Sequence, residues 1–249
     1  GVLAEIERLG AKKAYIMGSS AAVSNAVEAS LVGVGLQTER IVGADRYATS
    51  ALTASKVAGL EGTAFAKKAF LARGDNFADG LAASPLAYRN KIPVVLTRPT
   101  ELSAPAANVI GTLGITDVTI LGSSAAVSEG IEGAVNALGT VTATRRLQGA
   151  DRYATAQEIA KYAFANSLAT MGFIGVATGL DFPDALAGGI ATGERGGIMV
   201  LTRPGALSAN WVGYLPGVYG DTKPDIQLYG GSNVLSDEVM DTLKSMLID

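Results

Sequence analysis

The sequence predicts an α/β protein built of tandem three-layer α/β/α repeats, each a mostly parallel sheet covered by helices on both faces. Three observations carry that prediction: a long internal repeat, short continuous apolar runs, and Ala-rich stretches of helical character between those runs. Parallel strands cannot be joined by tight turns, and a sheet buried on both faces reads as unbroken apolar segments rather than as alternation.

The internal repeat is the strongest signal. Arg40–Thr49 (R-I-V-G-A-D-R-Y-A-T) returns 106 residues later as Arg146–Thr155 (R-L-Q-G-A-D-R-Y-A-T), with eight identities in ten. Gly74–Ala82 (G-D-N-F-A-D-G-L-A) returns as Gly179–Ala187 (G-L-D-F-P-D-A-L-A), and Leu96–Pro99 returns as Leu201–Pro204. A third landmark has three copies: Ile16–Ser24, Ile120–Ser128 and, more loosely, Leu228–Ser236. The order implies the second half of one repeat at 1–38, a complete repeat at 39–144 and another at 145–249.

Within the central repeat each element has a local reason. A helix over 47–60 follows Asp45, which is suited to N-capping. The run at 69–72 reads as a buried strand, and a helix over 79–90 follows the Gly-marked loop after it. Pro93–Thr97 and Asp117–Leu121 are β-branched and apolar, hence strands. The helices at 103–113 and 128–138 open on serines, and each strand runs into a Gly- or Ser-marked loop. The small faces of 82–87 and 185–191 allow close approach, which predicts a repeat-to-repeat contact there.

Composition removes several function classes. The 249 residues are 48% apolar and 17% charged with mean hydropathy +0.29, enough for a substantial core. With no His and no Cys, neither Ser-His-Asp nor Cys-His nucleophile systems can be assembled, and zinc bound by imidazole or thiolate is excluded. A formal charge of −3 and a pI near 5.1 argue against a general grip on nucleic acid or an anionic membrane. No stretch approaches the length of a membrane span. The chain starts at Gly1 on half a repeat, so it is expected to be a piece of something longer.

At its three landmarks the chain resembles the bacterial cell-wall-binding repeat type 2 family, found in tandem in surface proteins of Gram-positive bacteria. The match covers nearly the whole sequence and departs at Gly80, Asn233 and Leu235. The resemblance implies Toprim-like repeats packed within the chain about a pseudo-threefold axis, with no cofactor. It also implies an extracellular, cell-wall-associated role: noncatalytic anchoring to an anionic secondary polymer, teichoic-acid-like or an acidic polysaccharide.

The candidate residues follow from these patterns. Asp45 and Asp151 are placed to cap the helices that open at the repeated turn, and Asp79 and Asp184 to cap those of the middle motif. Arg46 and Arg152, beside helix starts, suit phosphate or carboxylate, or else pair with a neighbouring Asp. Arg98 and Arg203 follow strands at their C-terminal ends, where ligands of open α/β sheets bind, and are the favoured polymer contacts. Arg40 and Arg146 complete the set of expected polymer-binding arginines. Ser19-Ser20 and Ser123-Ser124 are weak anion cradles or plain turns. Trp211, Tyr214 and Tyr219 read as packing more than as a sugar platform. The competing reading is a Mg²⁺-dependent phosphoryl-transfer or hydrolytic enzyme using Asp75, Asp79, Asp181 and Asp184.

Overall fold

A computed structural model describes residues 1–247. The chain opens with α1 (Val2–Arg8), β1 (Lys13–Met17), α2 (Asn25–Gly33) and β2 (Gln37–Ile41), the two strands pairing in parallel. The central segment runs α3 (Arg46–Glu61), β3 (Lys68–Arg73), α4 (Ala78–Ala82), α5 (Ser84–Asn90), β4 (Val94–Thr97), α6 (Ala104–Thr112), β5 (Asp117–Leu121), α7 (Glu129–Asn136) and β6 (Ala143–Leu147). The last comprises α8 (Arg152–Ala165), β7 (Phe173–Thr178), α9 (Pro183–Glu194), β8 (Ile198–Thr202), α10 (Ala209–Tyr219), β9 (Asp225–Tyr229) and α11 (Asp237–Leu247).

Among the described residues the sheets have orders β1-β2, β4-β3-β5-β6 and β8-β7-β9, and every pairing is parallel. All six residues of β7 are buried, as a sheet with helices on both faces requires. The predicted strands and helices of the central repeat are present, with one difference. The single helix expected over 79–90 is broken at Ala83 into α4 and α5. Pro85 has no N–H to give to the carbonyl four residues back, and the Ser84 hydroxyl donates to that carbonyl, Leu81 O, at 2.7 Å instead. The matching stretch of the last repeat has Ile190 where this one has Pro85, and α9 is continuous.

The sequence-repeat limits at 38/39 and 144/145 fall inside β2 and β6. Each of these strands closes the sheet of the segment before it, while the helix that follows, α3 or α8, packs on the next sheet at β4 or β8. Successive segments are therefore laced together by the chain itself.

The small-faced helices meet: α5 lies against α9. A Cβ on Gly193 would stand 2.6 Å from Pro85 O, so the backbones touch where only glycine fits. Tyr88 Oη donates to Glu194 at 2.7 Å and Asn90 Nδ2 to Leu168 O at 3.0 Å across the same contact. One apolar core, including Phe70, Leu86, Tyr153, Ile174 and Trp211, is continuous through both complete repeats. A second core, including Leu71, Ile110, Ile120 and Ile131, fills the other side of the central sheet.

Candidate functional site

The repeated turn is a folding device first. Asp45 Oδ1 accepts from Ala48 N–H and Asp151 Oδ1 from Ala154 N–H, each at 2.8 Å, so both carboxylates cap their helices. Thr49 and Thr155 close the turn by accepting from Gly43 N–H and Gly149 N–H at 3.0 Å. A side chain at Gly149 would place its Cβ 2.4 Å from the Ala154 backbone, and Gly43 has the same close approach to Ala48. Tyr47 and Tyr153 are buried beneath Arg98 and Arg203, whose guanidinium carbons lie 5.1 and 5.2 Å from the ring centroids.

The six arginines divide into distinct environments. Arg40 donates to Glu28 at 2.6 Å and to Gly18 O and Val23 O at 3.1 and 2.8 Å. Arg146 repeats the arrangement with Glu132 at 2.8 Å and with Gly122 O and Val127 O at 3.0 and 2.7 Å. Their side chains are only 17% and 11% exposed. Every guanidinium nitrogen of this pair is engaged in tying the G-S-S-A-A loop to its sheet, and Arg146 also borders a cleft of about 410 Å³ with Ser124, Glu129 and Gln148. The Arg40 guanidinium also holds the Glu28 carboxyl below its usual range. Arg46 donates to Gly74 O at 2.6 Å and Arg152 to Gly179 O, which joins each turn to the strand end beside it. Arg98 and Arg203 are exposed and, among the described residues, have no carboxylate within 4.0 Å.

Asp79 and Asp184 do not cap their helices, contrary to expectation. The N-cap positions are Phe77 and Phe182, and the two aspartates sit inside the first turn. Their carboxylates turn instead toward the Gly-marked loop of the same repeat. A Cβ on Gly122 would lie 2.5 Å from Asp79 Oδ2, and one on Gly230 would lie 2.9 Å from Asp184 Oδ2. Burial pushes the Asp79 carboxyl up from its ordinary value, against the opposing fields of Arg152 and Arg73. The neighbouring Asp75 is bound through both oxygens by Arg73, each contact 2.7 Å, which holds its carboxyl low. Asp181 accepts from Phe182 N–H at 2.8 Å. Among the described residues no group of three acidic, His or Cys side chains converges.

Three adjoining clefts run past these residues. One of about 450 Å³ is mostly apolar and lies between Arg46, Phe77, Leu81, Val94, Phe182 and Leu186. The next, about 210 Å³, holds Arg73, Asp79, Ser123 and Arg152. A third of about 290 Å³ is lined by Asp151, Tyr153, Arg203, Ser208 and Asn210. Arg73 and Asn76 border the first two, and Ala150 and Asp151 the last two. The fold thus brings Arg46, Arg73, Arg152 and Arg203 along one path over the strand ends, and Arg98 stacks on Tyr47, whose ring lies against Gly74 at the wall of the first cleft.

The sequence profile described as Cell wall binding domain 2 (CWB2) matches residues 40–132 and 146–240. The chain belongs to the cell wall binding domain 2 family. Among its relatives are the N-acetylmuramoyl-L-alanine amidase LytC of Bacillus subtilis, 25% identical over 98% of this chain and 45% of that protein, and the amidase enhancer of the same organism, 27% identical over 83% and 26%. The chain therefore spans less than half of either relative. Its fold is that of Cwp8 from Clostridium difficile, with TM-score 0.77 at 23% identity over 96% of this chain and 39% of that one. Cwp6 from the same organism gives 0.69 at 23% identity over 83% and 31%.

In this CWB2 chain the aromatic cluster serves the core. Trp211 is fully buried with Nε1 donating to Leu201 O at 2.9 Å, and Tyr219 is buried against Phe164. Ser19 Oγ accepts from Ala21 N–H at 3.3 Å, a turn contact, while Ser123 lines the middle cleft. Sequence reasoning passed over Glu28, Glu132 and Arg73. The two glutamates were findable, since each lies 12 or 14 residues before a repeated arginine at matching places in two repeats. Arg73 has no such signal, because Thr178 takes its place in the last repeat.

Proposed function

We propose that this CWB2 chain anchors a surface protein outside the cell, without catalysis, by holding an anionic secondary polymer of the wall. The observation that carries the reading is the pair Arg98 and Arg203. Both are exposed at the C-terminal ends of β4 and β8, stacked over buried tyrosines, and free of a carboxylate partner among the described residues. A guanidinium fixed on an aromatic face keeps its donors aimed at solvent, and carboxylate or phosphodiester groups suit that geometry. The polymer's charge is met locally, consistent with a chain of net charge −3. The repeats at 39–144 and 145–249, with the half-repeat at 1–38, form the anchoring unit, and the activity of the whole protein lies in other regions.

The test is sedimentation of the purified chain with bacterial sacculi, before and after acid extraction of secondary polymers. Binding is expected to vanish on extraction and to fall at least about tenfold in the Arg98→Ala/Arg203→Ala variant with its fold intact. Undiminished binding to extracted sacculi would move the ligand to peptidoglycan and overturn the polymer assignment.

A further inference from the structure

We infer that the cleft at the junction of the two complete repeats is a sugar-recognition subsite, taking one hexopyranose residue that carries a negative charge beside free hydroxyls. The inference deepens the polymer reading above and rests on it.

The cleft lies where the chain changes direction across the central sheet. From β3 it passes to β4 on one side, then crosses back to β5 on the other, so the ends of β3 and β5 diverge around an opening. Ligands of open α/β sheets bind at such a point. The opening here is about 210 Å³, room for a single ring rather than an oligosaccharide.

The chemistry of its walls is specific. Asp79 is half-buried and, among the described residues, accepts no hydrogen bond and has no cation within 4.0 Å. A carboxylate is an acceptor only, with two oxygens side by side, and the partners that fit it are a pair of hydroxyl donors. Arg152 and Arg73 line the same cleft and act on it electrostatically, opposing the effect of its burial without bonding it. Part of each guanidinium is already fixed, Arg152 on Gly179 O and Arg73 on Asp75, and the remaining N–H groups suit an anionic substituent. Ser123 adds a hydroxyl at the rim.

The subsite is composite. Asp79, Arg73 and Ser123 come from one repeat and the Gly149–Arg152 turn from the next. Earlier in the chain the Gly18 loop and the Asp45–Arg46 turn are present without a middle-motif aspartate before them. Later, Asp184 meets Gly230, and Thr178 stands where Arg73 stands. The constellation is complete once among the described residues, and these are expected to take one ring there.

Two measurements on the full chain test this. Amide chemical shifts are followed while glucuronate, glucose 1-phosphate or uncharged glucose is added to tens of millimolar. Changes are expected at Asp79, Gly122, Ser123 and Arg152 with either acidic sugar and not with glucose, the stronger of the two telling carboxylate from phosphate. In parallel Asp79→Asn is compared with wild type for sedimentation with intact sacculi. Binding is expected to drop at least tenfold while the melting temperature stays level or rises, a combination that a merely structural aspartate does not produce. Wild-type binding matched by Asp79→Asn, or shifts confined to other regions, overturns the subsite and leaves the anchoring reading standing. Failure of wild type to sediment overturns the anchoring reading, and the monosaccharide shifts then decide the subsite alone.

Discussion

Replacing Arg146 by alanine is expected to destabilise the chain severely, whereas the same change at Arg203 is expected to leave it almost unaffected. The Arg146 side chain is 11% exposed and donates to Glu132, Gly122 O and Val127 O. Truncation leaves two loop carbonyls and one carboxylate without their cation. Hydrogen bonds to a charged group are worth about 1.5–3 kcal/mol each. Water reaches the Glu132 end, so the two carbonyls set the scale at about 3–5 kcal/mol. For a chain of this size that lowers the melting temperature by about 6–20 °C. Arg203 makes one stacking contact at an exposed site, worth about 0.5–1 kcal/mol. Urea unfolding followed by far-UV circular dichroism reads both, with the slope checking that the unfolded states are comparable. A loss below about 1 kcal/mol for Arg146→Ala, or one above about 2 kcal/mol for Arg203→Ala, would refute the division into structural and ligand-facing arginines.

Gly193→Ala drives a methyl group toward Pro85 O at 2.6 Å and Pro85 Cα at 3.1 Å, backbone that must shift. A loss of about 1–3 kcal/mol is expected, with the two complete repeats separating into distinct calorimetric transitions; a single unshifted transition speaks against the α5–α9 contact as the coupling element. Tyr219→Phe removes a buried hydroxyl without a hydrogen-bond partner, whose ionisation burial drives far upward. Neutrality or a gain of up to about 1 kcal/mol is expected, and a clear loss in thermal melts would contradict it. Asp79→Asn tests the sign of a buried carboxyl. Its folded pKa is raised, so the native state binds the proton more tightly and wild type loses stability as pH rises from the unfolded-state pKa through the folded one. The variant's advantage in urea titrations is therefore expected to appear over that window and to vanish in stronger acid, and a pH-independent difference refutes the assignment.

Much of the fold was legible because repetition and burial act locally. A 106-residue repeat of eight identities in ten defines the unit, and continuous apolar runs such as Phe173–Thr178 allow few alternatives to a buried parallel strand. What was not legible depends on contacts distant in sequence. Nothing in Arg145-Arg146-Leu147 says that this strand pairs with β5 behind it rather than joining the repeat ahead. Asp79 looked like a cap because it precedes an apolar helix, but that helix begins earlier, at Ala78. Once inside the first turn, the carboxylate reaches the Gly122 loop more than forty residues on. The ties made by Arg40 and Arg146 were not legible either, because an arginine's partner is invisible until folding brings Glu28 or Glu132 beside it.

The repeated motif also changes what counts as a clue to the ligand. In R-x-x-G-x-D-R-Y-x-T the first arginine ties down a loop, the glycine permits a close backbone approach, the aspartate caps, the tyrosine is buried and the threonine closes the turn. Only the second arginine keeps part of its donor set free, and in the last repeat it faces a cleft whose remaining walls, Arg73 and Asp79, come from the repeat before. Side chains engaged in folding recur with the fold, so their recurrence identifies the unit and says little about what it binds. Selectivity must reside in the residues left over, and here these vary between junctions: Arg73 against Thr178, Asp75 against Leu180, Asn76 against Asp181. Neighbouring repeats of one architecture thereby present different side chains at corresponding positions, and on the proposed anchoring reading the selectivity for a wall polymer is set by these positions rather than by the repeated motif.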